Sequence, residues 1–125
     1  MTKLNEIYKC SVCGNTVEVV DAAGGTLVCC GQDMNKLEEQ TEDSSVEKHV
    51  PVVKEIDGGV EVVVGSTEHP MTEDHQIVFI EVLTADKVLR AELEAGEKPV
   101  ATFAVKADEI EKVREYCNIH DLWKA

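Results

Sequence analysis

The stretch Val50-Pro51-Val52-Val53-Lys54-Glu55-Ile56-Asp57-Gly58-Gly59-Val60-Glu61-Val62-Val63-Val64 consists of two runs rich in β-branched residues, 50–56 and 60–64, joined by Asp-Gly-Gly. Branched side chains suit the pleated, half-buried surface of a strand, and Asp-Gly supplies the backbone freedom that a tight reversal needs, so the stretch reads as a β-hairpin. Further strand candidates follow at short, regular spacing over residues 76–83, 88–93 and 100–105, with turns at Ala85-Asp86 and Ala95-Gly96. Five or more short strands with almost no convincing helix predict a small antiparallel sandwich or barrel. The exception is residues 107–116, whose charged pattern suits either a short helix or an edge strand.

Upstream of the hairpin, residues 39–47 (Glu-Gln-Thr-Glu-Asp-Ser-Ser-Val-Glu) hold one apolar side chain. Such a composition buries too little to offset its own ordering entropy, and the stretch reads as a linker. It separates a head, residues 1–38, with four of the five cysteines, from a body, residues 48–125, with all four histidines. A head that short lies below the roughly 40 residues at which an apolar core alone sustains a fold, so it needs a staple such as a metal or oligomerisation. Within it, residues 16–20 and 26–30 are β-rich runs joined by Asp-Ala-Ala-Gly-Gly, which predicts a two-stranded ribbon.

The chain has 125 residues, 43% of them apolar and 30% charged, which suits one ordinary domain or two very small ones. Five cysteines cannot all pair within one chain, so at least one sulfur has another task. No apolar run approaches the roughly 18 residues of a membrane span, and residues 1–9 lack the apolar core of a signal peptide. A reducing, cytoplasmic setting is therefore expected, where thiols bind metal or stay free. The formal charge of −13, from 12 basic against 25 acidic residues, argues against a nucleic-acid partner, which would need a basic face. It also raises a question: an anionic substrate would need some local feature to overcome the global repulsion.

Cys10-Ser11-Val12-Cys13 and Cys29-Cys30 lie on either side of the expected hairpin, so that folding the ribbon is expected to bring four sulfurs to one point. Tetrahedral thiolate coordination suits zinc, held as a plain structural staple, or a single iron. Gly14 and Gly31 follow the two pairs and allow tight turns whose backbone N–H groups face the sulfurs. Adjacent Cys29 and Cys30 must splay from one short segment, which distorts an ideal tetrahedron. Zinc tolerates that without electronic consequence, whereas iron changes its spectrum and redox behaviour. In the body, His49 follows the linker, His69 and His75 frame a loop containing Pro70, and Cys117 lies three residues before His120. Each sits beside a loop or strand end. Loops at one end of a sandwich converge, so these residues are either a single site or histidines scattered on a surface.

Taken together, Tyr8-Lys9-Cys10-Ser11-Val12-Cys13-Gly14-Asn15, Val28-Cys29-Cys30-Gly31, Glu47-Lys48-His49-Val50-Pro51, His69-Pro70-Met71 and Tyr116-Cys117-Asn118-Ile119-His120 closely resemble desulfoferrodoxin, the two-iron form of superoxide reductase. The resemblance runs from end to end. It implies an all-β chain: a desulforedoxin-like, rubredoxin-like metal ribbon followed by an immunoglobulin-like antiparallel sandwich. It further implies two mononuclear irons. One is held by Cys10, Cys13, Cys29 and Cys30; the other has His49, His69, His75 and His120 as equatorial ligands and Cys117 as axial ligand. The implied reaction is one-electron reduction of superoxide to hydrogen peroxide, with electrons from a donor such as rubredoxin, in a homodimer. Lys48 is implied to present an ammonium at the open face, and Glu47 to occupy the sixth position of the ferric state. With a Debye length of about 8 Å, a lysine that close outweighs more distant carboxylates. The chain departs from the family pattern at Asp121, where a glycine is common, and at Gln76, Val78 and Phe79. Neither departure touches a ligand, but Asp121 adds a negative charge beside His120. The competing readings are a zinc-stapled binding module and a one-electron carrier without catalysis.

Overall fold

The computed structural model describes residues 2–42, 49–65 and 69–125; residues 43–48, and with them Glu47 and Lys48, lie outside the described residues, as do Met1 and residues 66–68. Two compact units divide the chain, Met1–Glu38 and Glu39–Ala125. Among the described residues the regular structure is all strand apart from one 3-10 turn, Ala107–Glu109.

In the first unit, β1 (Ile7–Lys9) lies between β2 (Thr16–Glu18) and β5 (Asn35–Lys36), while β3 (Val28–Cys29) pairs with β4 (Gln32–Asp33). The ribbon expected between residues 16–20 and 26–30 does not form, because each of those runs pairs instead across its own cysteine turn. Tyr8 faces Val17 across the Cys10–Cys13 turn, and Cys29 faces Gln32 across Cys30-Gly31. The second reversal has only two central residues, with φ of 54° at Cys30 and 74° at Gly31. Positive φ at both positions is what a two-residue hairpin turn needs to match strand twist. With the strands paired across these short turns, residues 21–25 form an open loop. Among the described residues only Ile7, Cys10 and Val19 are buried apolar side chains here, far less than an unaided fold requires.

The second unit is a sandwich of two antiparallel sheets. One has the order β10 (Val100–Phe103), β7 (Gly59–Val64), β6 (Pro51–Ile56); the other runs β12 (Asp121–Lys124), β11 (Ile110–Cys117), β8 (Ile77–Thr84), β9 (Val88–Glu92). Strand alternation supplies the core: Val60, Val62 and Val64 of β7, with Phe103 beside them on β10, cluster with Ile80 and Val82 of β8 and Val113 of β11. The hairpin of residues 50–64 is therefore one wall of the sandwich, with Ile56 paired to Gly59. Residues 107–116 are neither a helix nor an edge strand. After the 3-10 turn they form β11, hydrogen-bonded on both sides, because its apolar and buried positions are needed at the centre of the sheet. β12, unrecognised in the sequence, completes the sheet.

The outer face of this sheet is unusually ionic. Buried Glu81 receives Arg114 Nε and Arg90 Nε, each at 2.8 Å. Arg114 also reaches Glu39 at 3.1 Å, and Lys112 Nζ bridges both Glu39 oxygens at 2.8 and 2.9 Å. Burial pushes the Glu39 carboxyl up, but the Lys112 ammonium and the Arg114 guanidinium outweigh it and hold it below the usual range. Removing one member of a buried pair of this kind costs about 3–5 kcal/mol, since the other charge is stranded. Glu39 and Gln40, at the start of the stretch read as a linker, are thus held on the sandwich: Gln40 forms a parallel bridge to Trp123.

The tightest backbone approach lies at the hairpin turn. A Cβ on Gly59 would fall against the carbonyl oxygen of Phe103, a backbone atom with no freedom to move aside. Gly59→Ala is expected to destabilise the second unit by about 2 kcal/mol or more, read as a lower urea midpoint at unchanged slope.

Candidate metal centres

The four cysteines of the first unit bring one sulfur each to a group whose members all lie within 4.8 Å of one another. Sulfur pairs measure 3.6 Å (Cys13 to Cys29) and 3.9 Å (Cys29 to Cys30). The edge of a tetrahedron with metal–sulfur bonds of about 2.3 Å is about 3.8 Å, so the sulfurs already have the spacing of a tetrathiolate site. The turn backbone contributes as well. Val12 N and Cys13 N point at Cys10 Sγ at 3.4 and 3.5 Å, and Asn15 N at Cys13 Sγ at 3.4 Å. The N–H groups of Cys13 and Val12 bring the Cys10 thiol down to about 6. Cys30 goes the other way, to about 12, because its proton is shared with the Cys13 and Cys29 sulfurs. Four thiolates this close do not coexist without a cation, which is the chemistry of a metal site.

In the second unit the donors come from three places at one end of the sandwich. His49 precedes β6, His69 and His75 lie between β7 and β8, and Cys117 and His120 bracket the turn from β11 to β12. One nitrogen from each histidine and the Cys117 sulfur lie within 4.8 Å of one another. The imidazoles form a closed ring: centroids are 4.7 Å apart for His49–His69, 4.8 Å for His69–His75, 5.1 Å for His75–His120 and 4.7 Å for His120–His49. His49 Nε2 and His69 Nε2 are 3.0 Å apart, the separation of neighbouring ligands at right angles with bonds of about 2.1 Å. Cys117 Sγ lies 3.6 Å from His69 Nε2 and 4.0 Å from His120 Nδ1.

Secondary contacts set how each donor is presented. His69 Nδ1 lies 2.7 Å from the Pro70 carbonyl, so it carries the proton and leaves Nε2 as a lone pair. His75 Nε2 is buried without a hydrogen-bond partner among the described residues, an arrangement that costs free energy unless a cation takes the lone pair. His75 is placed by a turn in which its N–H donates to Thr72 Oγ1 at 3.1 Å. Asn118 joins that loop to the Cys117–His120 turn: its Oδ1 accepts from Gln76 N at 2.9 Å and its Nδ2 donates to the Asp74 carbonyl at 3.1 Å. Trp123 stacks on His49 at 4.8 Å, nearly parallel.

Cys117 reaches the site through a strand irregularity. Tyr116 pairs with Phe79 and Cys117 with Ile77, so Val78 is skipped. This bulge turns Ile77 inward opposite Cys117, which is completely buried. Burial pushes the Cys117 thiol up, and the charges of Glu115 and Asp121 act in the same direction; the N–H groups of His120 and Ile119 oppose them. Asp121 adopts the left-handed conformation, φ 68°, where glycine carries no steric cost.

All nine cysteines and histidines singled out in the sequence fall into these two groups; Glu47 and Lys48 lie outside the described residues. Gln40, Asn118 and Trp123 were not anticipated, and only the presence of a single tryptophan gave any signal. Fold and donors define a two-centre, all-β, non-haem metalloprotein. The chain belongs to the desulfoferrodoxin family: residues 41–125 match desulfoferrodoxin and residues 2–37 its N-terminal domain. Desulfoferrodoxin of Desulfarculus baarsii is 51% identical over 120 residues, covering 96% of this chain and 94% of its own. Desulforedoxin of Megalodesulfovibrio gigas is 53% identical over 36 residues, 29% of this chain and 97% of its own. The superoxide reductase of Treponema pallidum superposes with a TM-score of 0.78 at 30% identity, covering 96% of both chains. The two donor sets are accordingly mononuclear iron sites, one tetrathiolate and one of four imidazoles and a thiolate.

Because the Cys117 thiol is raised, it is protonated at neutral pH in metal-free protein, and iron must displace that proton. Ferrous loading of the second unit between pH 7 and 8 is expected to release a proton to the buffer and to tighten about tenfold per pH unit. Potentiometric titration checks both, and Cys117→Ala should remove one proton from the total released, leaving the release from the four-cysteine site.

Proposed function

We propose that this protein is a superoxide reductase that adds one electron and two protons to superoxide and releases hydrogen peroxide with its O–O bond intact. The observation that carries this reading is the closed ring of four imidazoles with one buried sulfur beside it, five donors that would hold a single iron and leave it a further position for a small ligand. Iron bound there supplies the electron. Every other contribution comes from the chain.

His49, His69, His75 and His120 are neutral donors, and Cys117 is the one anionic donor. Their sum leaves a ferrous centre with a net charge of about +1, which favours an anion of single charge even on an acidic protein. Cys117 lies on the core side, where no solvent reaches it, and its thiolate would be the electron-rich donor to an iron held there, which would favour reduction of an oxygen species. His75 and His120 are only half buried, so substrate arrives past them. Lys48, directly before His49, is proposed to present an ammonium that draws the anion toward the site, and Glu47 would be a further carboxylate ligand for ferric iron that helps to displace product. The four-cysteine iron serves as a staple for a unit with almost no core of its own. Rubredoxin is the proposed donor, the cytoplasm the proposed setting and a homodimer the proposed assembly.

The decisive measurement is peroxide yield with a reductant supplied. A reductase gives about one peroxide per superoxide, while a dismutase, like spontaneous dismutation beside a carrier without catalysis, gives one per two. In the same assay Lys48→Ala is expected to lower the second-order rate and flatten its dependence on ionic strength without loss of iron. An unchanged rate would remove Lys48 from the mechanism.

A further inference from the structure

The carbonyl of His120 is held by two N–H donors from outside its own turn. Gln40 Nε2 donates to it at 2.8 Å and Trp123 Nε1 at 2.9 Å. The same Gln40 nitrogen reaches the Leu122 carbonyl at 3.2 Å. Two carbonyl oxygens face it, so the amide has one possible orientation, nitrogen inward. The Gln40 backbone is fastened as well: its N–H donates to the Leu122 carbonyl at 3.0 Å, and its own carbonyl accepts from Lys124 N at 2.9 Å. One residue earlier, Glu39 is anchored by Lys112 and Arg114. Gln40 thus acts on the turn from a rigid base.

That turn carries both Cys117 and His120, and its closing residue Asp121 has the left-handed φ of 68°. The peptide of His120 is where its ring, and through it Nδ1, is oriented. We propose that Gln40 is a positioning residue for the reactive iron: its side-chain amide, with the Trp123 indole N–H, fixes the His120 peptide and so the direction of the fourth imidazole. Trp123 links this clasp to the neighbouring imidazole of the ring, because its indole plane stacks on His49, 4.7 Å from His120. The clasp governs two imidazoles from one pair of side chains.

The inference rests on the iron site of the proposed function, but its test reads iron retention and spectrum, not peroxide. A protein that failed to reduce superoxide would overturn that function and leave this test intact. Gln40→Met keeps the length and shape of the side chain and removes both donated bonds. Loss of an outer hydrogen bond to a metal ligand typically costs 10–100-fold in metal affinity. In the full-length two-iron protein, Gln40→Met is therefore expected to release the body iron to a chelator about tenfold faster, and to shift the thiolate-to-iron absorption band and ferric EPR signal of that site. The tetrathiolate absorption should stay in place as an internal reference. Release within twofold of the parent with an unmoved band would overturn the proposal, as would equal losses from both sites, which would mark general unfolding. Should Gln40→Met fail to fold, Trp123→Phe removes the other donor while retaining a ring against His49; it should shift the same band, and an unshifted band there would equally overturn the proposal.

Discussion

Four imidazole nitrogens and a sulfur enclosed within 4.8 Å, with His49 and Cys117 wholly buried, form an assembly that a folded chain holds at a cost unless a cation occupies its centre. Much of the second unit is arranged around that cost. The three donor segments lie at one end of the sandwich because β6 begins where β7 ends and Cys117 pairs with the first residue of β8. The sheets supply the rigid base, and the loops supply the donors. The same logic at a smaller scale shapes the first unit, where four sulfurs stand in for a core that, apart from Cys10 itself, has only Ile7 and Val19 as buried apolar side chains among the described residues.

The two units accept their metal differently. In the first, backbone N–H groups of the Cys10–Cys13 turn already favour a thiolate at Cys10, so part of the charge needed for binding is present before metal arrives. In the second, burial works against the Cys117 thiolate, and the nearby carboxylates of Glu115 and Asp121 reinforce it. A thiolate that is hard to form alone is a strong donor once formed. Stability and reactivity thus draw on opposite treatments of the same side chain.

Much of the site was legible because its chemistry is concentrated in rare residue types at short spacings. The hairpin of residues 50–64 was legible for a different reason, since β-branched runs on either side of Asp-Gly leave little alternative. The head ribbon was misread because strand propensity says nothing about which turn closes first, and the turns here are made by Cys30-Gly31 and the Cys10–Cys13 segment rather than by residues 21–25. Residues 107–116 looked like an edge or a helix because Glu115 and Arg114 break the alternation expected of a central strand; Arg114 is buried against Glu81, which no local pattern reveals. Gln40 was invisible for the same reason: its partners lie 80 or more positions away.

The skipped residue at Val78 bears on how the protein tolerates change in length. Strand faces alternate with every residue, so one insertion or deletion within β11 would send Cys117 to the outer face and bring Tyr116 in. The bulge opposite makes the pairing near the iron irregular already, leaving no slack to absorb a further slip. At the other end of the sandwich, the connection from β10 through Ala104–Glu109 carries no donor and faces open solvent along much of its length. Length variation, fused segments and engineered tags are physically affordable there and not at the β11–β12 turn. The molecule thus has one end closed to revision and one end open to it.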